Sequence, residues 1–156
     1  MTNYEIAALA ISGVSLLVSA FAAVMSLLAN AKSSSATIEL GLLDTITSAS
    51  EKVMDCSADM DNLISRKDSL TTEEQTQLEF KKKRFDTAVE NLLNAYEEAC
   101  AKYVDKKIDK ERFKKNYFRS IRNVVENEKF KDYYTGVQSN YKATLKVYKE
   151  WFDFEK

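Results

Sequence analysis

Two cysteines, Cys56 and Cys100, and a complete absence of histidine limit the chemistry open to this chain. Structural zinc sites draw on Cys and His at short fixed spacings, and these two cysteines stand 44 residues apart. Without an imidazole no Cys–His or Ser–His nucleophile pair can be assembled, and the Glu-x-x-His metal motif of helical bundles is impossible. The acidic neighbours Glu73/Glu74 and Glu97/Glu98 would diverge by about 100° on a helix, a poor arrangement for joint acid–base work. Glycine-rich phosphate loops are missing as well, in a chain with three glycines and no proline. The residues point away from an enzyme. No catalytic residue, cofactor or metal ligand is expected, and both cysteines fall among apolar neighbours at helical spacing, as buried reduced thiols do. A disulfide requires an oxidising compartment.

What remains is electrostatic and hydrophobic chemistry. The formal charge is −1, unevenly spread. Residues 32–104 carry 9 Lys/Arg against 14 Asp/Glu, and residues 105–156 carry 14 against 9. The densest basic tract is Lys106, Lys107, Lys110, Arg112, Lys114 and Lys115, continued by Arg119 and Arg122 and diluted by Asp105, Asp109 and Glu111. It is a candidate contact for an anionic surface, where each cation near acidic lipid adds about 1 kcal/mol, or for an acidic protein. An ordinary solvated helix face is the alternative. The many tyrosines, interleaved with Lys and Arg, could stack on bases or sugars. Most recur at 3–4 spacing, which makes them core residues first, and no nucleic-acid motif surrounds them.

The elements that must position these groups begin with an apolar run. Ile6 to Ala29 are 24 consecutive positions without a charge. A helix of that length spans roughly 36 Å, enough for a hydrocarbon core of about 30 Å. Ala29-Asn30-Ala31 resembles a signal-cleavage site, but the preceding segment lacks Lys and Arg and contains Glu5, and the run exceeds the roughly 7–15 residues of a signal h-region. The reading is a retained single-pass anchor in a bacterial inner membrane. Lys32 and the free thiols place the C-terminal domain in the cytoplasm. Within the run, Ala8, Ser12, Ser15, Ser19, Ala22, Ser26 and Ala29 recur at spacings of 4, 3, 4, 3, 4, 3. Small residues in such register let membrane helices approach closely and hydrogen-bond through serine, so homo-oligomers are expected. A serine-lined pore is a stronger version of the same reading.

Beyond the anchor the spacing predicts helices. Ser33-Ser34-Ser35 reads as a bend or as a weak stretch of continuous helix. Ile38, Leu42, Ile46, Ala49, Val53, Cys56, Met60 and Leu63 form a seam to about Ser65, and Arg66 to Ser69 a loop. Thr71 and Glu74 make a capping box for a helix reaching about Val104, with Lys81 to Arg84 on its exposed arc. Asp109 caps a third helix with Phe113, Tyr117, Ile121, Val124 and Val125 inside, and Asn127 to Lys129 marks a break. A last helix is expected to bury Tyr134, Val137, Tyr141, Leu145, Tyr148 and Phe152. The fold class is all-α: one N-terminal transmembrane helix, then an antiparallel bundle of about four segments. Residues 1–32 are the anchor, 33–70 a membrane-proximal helix and loop, and 71–156 the bundle, continuing with 37–65. Val53, Met60, Leu92, Tyr96, Ile121 and Tyr148 are expected to hold it.

Leu92-Leu93-Asn94, Tyr96-Glu97-Glu98, Ile108-Asp109 and the aromatic-rich helix opening at Phe113 have, with the anchor ahead of them, a familiar arrangement. It resembles a loose group of uncharacterised bacterial membrane-anchored helical proteins of the kind found in mobile or phage-defence islands. The resemblance covers the anchor and roughly residues 88–125. It implies an accessory or effector role in the envelope and no catalytic residues. The expected function is a non-enzymatic, membrane-anchored module that self-associates and presents its bundle to a protein partner. A pore-forming effector, or a secreted binding protein released after Ala31, are the alternatives.

Overall fold

In the computed structural model the backbone is described for residues 3–135 and 140–152, and the side chains for residues 18–135 and 140–152. All regular structure among them is helical. The elements are α1 (Asn3–Ser65), α2 (Thr72–Val104), α3 (Lys110–Glu126), α4 (Lys131–Tyr134) and α5 (Lys142–Phe152), with 3₁₀ turns at Lys67–Ser69 and Glu128–Phe130. The chain divides into two compact units, Met1–Thr37 and Ile38–Lys156. The backbone stays helical through Ser33-Ser34-Ser35, with the Thr37 hydroxyl donating to the Ser33 carbonyl.

In the second unit the end of α1 and all of α2 form an antiparallel hairpin. The register is fixed by the Arg66–Glu74 ion pair at 3.0 Å and by Lys81 Nζ donating to the Asp59 carbonyl at 3.0 Å; in both, the two residue numbers add to 140. The seam faces inward as its spacing requires. Leu42, Ile46, Cys56, Met60 and Leu63 are buried, and Ile38, Ala49 and Val53 are partly covered. The capping box closes on both sides at Thr71 and Glu74. The bonds from Thr71, with the Arg66 guanidinium beside them, hold the Glu74 carboxyl below its ordinary range.

Helix α2 is the central element. It buries Val89, Leu92, Leu93, Tyr96, Ala99, Cys100 and Tyr103, more than one face of a helix, because α3 and α5 pack on it as well. It ends in a Schellman motif: Lys107 N–H donates to the Lys102 carbonyl at 2.9 Å and Lys106 N–H to the Tyr103 carbonyl at 3.2 Å. Lys106 occupies the left-handed position of that motif, φ 57°, where glycine is usual. Asp109 then caps α3, accepting from Arg112 N–H at 3.0 Å.

The end of the chain differs from the expectation of one last helix. Helix α4 stops at Tyr134, Thr135 is extended, and α5 begins at Lys142. Val137 lies outside the described residues. Tyr134, Tyr141 and Phe152 of the expected inner face are buried. The fully buried positions of α5 are Thr144 and Val147, with Trp151 and Phe152 beside them, whereas Leu145 and Tyr148 are only partly buried. Of the residues expected to hold the bundle, Met60, Leu92, Tyr96 and Ile121 are buried, and Val53 and Tyr148 sit at its edge.

Candidate functional site

Two surfaces carry the residues singled out in the sequence, one in each unit. The first is the stretch of α1 from Val18 to Leu28. At about 100° per residue, Ser19, Ala22 and Ser26 fall within an arc of about 60°. Val18, Phe21, Val24, Met25, Leu27 and Leu28 cover roughly the opposite half of the helix and are 51–68% exposed. The helix thus has a narrow face of small residues and a broad face of large apolar ones. Ala8, Ser12 and Ser15 of the expected stripe lie outside the residues whose side chains are described, as does the first half of the expected anchor. Among the described residues no helix is long and apolar enough to cross a membrane.

The second surface is the basic tract, three of whose cations have partners in the fold. Lys110 lays its ammonium 4.3 Å from the Tyr103 ring centroid, and Lys114 stands 5.9 Å from that of Trp151. Arg112 pairs with Glu39 of α1, which raises its pKa. These three engage the bundle at its surface, as stems on aromatic rings or as an ion pair. Lys106, Lys107 and Lys115 project into solvent. Arg112 also remains half exposed beside its ion pair. Farther along α3, Arg122 pairs with Glu126 at 3.2 Å and covers the Phe152 ring at 5.5 Å.

Two carboxylates fasten the short helices: Glu39, which the sequence did not single out, and Glu97, which it offered only as half of a divergent acid pair. Glu39 accepts the Asp109 N–H at 2.9 Å while holding Arg112, which ties α1 to the start of α3. Glu97 of α2 accepts three bonds from the first turn of α5: Ala143 N–H, Thr144 N–H and the Thr144 hydroxyl, each at 2.8 Å. Tyr141, ahead of α5, has no side chain suited to capping, so a carboxylate from another helix does that work. A signal was present. Leu93, Glu97 and Cys100 share one helical stripe, and an acid in an apolar stripe needs a donor opposite it.

Around this clamp the groups are buried and neutral. Burial pushes the Cys100 thiol up to about 12, against a bond from Thr144, which favours its neutral form. Tyr96 and Tyr134 are pushed up by burial as well, and among the described residues the Tyr134 hydroxyl is buried with no hydrogen-bond partner. Tyr103 donates to Glu150 at 2.7 Å and accepts from Trp151 Nε1 at 3.1 Å. Both cysteines are free and buried. Among the described residues no group of three His, Cys, Asp or Glu could hold a metal ion.

Comparison of the chain with protein-family models, with curated proteins and with solved structures gives no match. The functional reading rests on the residues themselves.

Proposed function

We propose that this chain is a non-enzymatic, membrane-anchored helical module whose apolar segment self-associates and whose bundle is offered to a protein partner. One observation carries the reading: six large apolar side chains between Val18 and Leu28 stand more than half exposed on a helix with no charge among them. Burying such a side chain stabilises by about 1.5–3 kcal/mol, so leaving six in water costs on the order of 10 kcal/mol. Lipid covers the large face without demanding anything of shape. The small face of Ser19, Ala22 and Ser26 is suited to a second helix at close approach, where each serine bond contributes about 0.6–2 kcal/mol. Lys32 and the free thiols support a cytoplasmic bundle at an inner membrane. Lys106, Lys107 and Lys115 are then available to anionic headgroups or to an acidic partner.

The test is extraction of the full chain from membranes in alkaline carbonate, with oligomer size measured in mild detergent. The chain is expected in the pellet, and Ser19→Leu with Ser26→Leu is expected to stay in the pellet while its oligomer order falls. Release of the parent chain into the carbonate supernatant would sink the anchor, and an unchanged oligomer would sink the small-face contact.

A further inference from the structure

Three open hollows of about 600, 310 and 400 Å³ lie along one side of the α1–α2 hairpin. The first shares Lys52, Ala88 and Asn91 with the second, and the second shares Phe80 and Arg84 with the third. They are therefore one furrow, about 33 Å long between Thr76 and Glu98 at the helical rise. Its middle is floored by small side chains, among them Ser48, Ala49 and Ala88. Its ends differ in charge. Asp44 and Glu98 line one end, Lys52 lies level with Ala88 in the middle, and Lys81, Lys83 and Arg84 lie toward the other. The only near charge contact of Glu98 in the hairpin is the long 4.0 Å approach to Lys102 among the described residues.

This polarity has a symmetry. Asp44 and Lys52 each lie four residues from Ser48, and Arg84 and Glu98 each lie seven residues from Asn91. A two-fold axis across the furrow, through Ser48 and Asn91, sets Asp44 against Lys52 of a second copy and Arg84 against its Glu98. Each contact occurs twice. Phe80, 63% exposed, lines the same furrow and would be covered. All neighbouring helices in the resulting group of four run antiparallel, so their macrodipoles oppose. An axis along the helices would instead place acid on acid and cation on cation.

We propose that the furrow is a docking surface for a second copy of this chain, joined antiparallel about that axis. The inference does not depend on the membrane reading. The furrow's lining residues are distinct from the small face of Ser19, Ala22 and Ser26.

The full chain in detergent tests this with cysteines at the axis. Ser48→Cys and Asn91→Cys, oxidised with copper–phenanthroline, are each expected to give a disulfide dimer, whereas Thr76→Cys at the furrow end and the parent chain give none. Arg84→Glu is expected to weaken association at least about tenfold, because it sets like charges together twice, and Arg84→Glu with Glu98→Arg to restore it. Circular dichroism checks that helix content is unchanged. Absence of the axial cross-links, equal cross-linking at Thr76→Cys, or a charge swap without rescue would overturn the proposal. The axial cross-links are expected to persist in Ser19→Leu with Ser26→Leu; their loss there would assign the association to the apolar segment instead.

Discussion

Removal of the Glu97 carboxylate is the most telling perturbation of the bundle, because it detaches a whole helix from a single point. Three bonds of 2.8 Å are lost with it. Hydrogen bonds to a charged group contribute about 1.5–3 kcal/mol each, but Ala143 is partly exposed and water would replace one of them. Thr144 is 0% exposed, so its N–H and hydroxyl would be left buried without a partner, at a cost of about 1–3 kcal/mol apiece. Glu97→Ala is therefore expected to destabilise by about 3–4 kcal/mol. With a urea m-value of about 2 kcal/mol/M the midpoint falls by roughly 1.5–2 M. Trp151 is the single tryptophan and sits on α5, so its fluorescence reads the affected helix directly, and circular dichroism reads the rest. Thr144→Val keeps the shape and removes the hydroxyl donor. A double-mutant cycle with Glu97→Ala is expected to give a coupling of about 1 kcal/mol or more. A midpoint shift under about 0.3 M, or additivity of the two changes, would refute the clamp.

Lys106→Gly removes a side chain from a left-handed position that costs an L-residue about 1–2 kcal/mol, and part of the gain returns as unfolded-chain entropy. A net stabilisation of about 0.5–1 kcal/mol is expected in urea; destabilisation would contradict the Schellman geometry. Tyr134→Phe deletes a buried hydroxyl that lacks a partner among the described residues and is expected to be neutral or stabilising by up to about 1 kcal/mol. A loss above 1 kcal/mol in the same assay would mean that the hydroxyl is bonded. Burial raises the Cys100 thiol to about 12 and also raises Tyr96, Tyr134 and Tyr141. The fold favours the neutral forms, so this stability is complete below the unfolded values of about 8.5 for Cys and about 10 for Tyr, and is lost as pH rises toward 12. Thermal midpoints should hold from pH 7 to 8 and fall steeply above about 9.5, with tyrosinate absorbance at 295 nm rising in the same transition. Tyrosinate formed at pH 10 without unfolding would count against it.

Much of the hairpin was legible in the sequence because its causes are local. A seam at 3–4 spacing can bury only one face, and Thr71, Glu74 and Asp109 announce helix starts through bonds made within one turn. The C-terminal third was less legible because its causes are distant. Glu97 fixes where α5 begins from 46 residues away, and no local pattern in residues 141–152 records that. The expected face was right at Tyr134, Tyr141 and Phe152, which are buried, while Leu145 and Tyr148 pack at its edge and Thr144, Val147 and Trp151 complete it. The basic tract likewise has partners that lie far off in sequence. Charge density along the chain does not show that Glu39, Tyr103 and Trp151 engage Arg112, Lys110 and Lys114, leaving Lys106, Lys107 and Lys115 outward. Lys106 itself shows the limit of composition: scarcity of glycine did not prevent a left-handed turn, it placed a lysine in one.

The central claim is that residues 18–28 face lipid on one side and another helix on the other. Spin labels placed one at a time through introduced cysteines, in chains reconstituted into vesicles, test it most directly. Labels at Val18, Phe21, Val24, Met25, Leu27 and Leu28 are expected to collide readily with oxygen and little with a water-soluble nickel reagent. Labels at Ser19, Ala22 and Ser26 are expected to be shielded from both. Uniform access of the nickel reagent at all nine positions would place the segment in water and contradict the account.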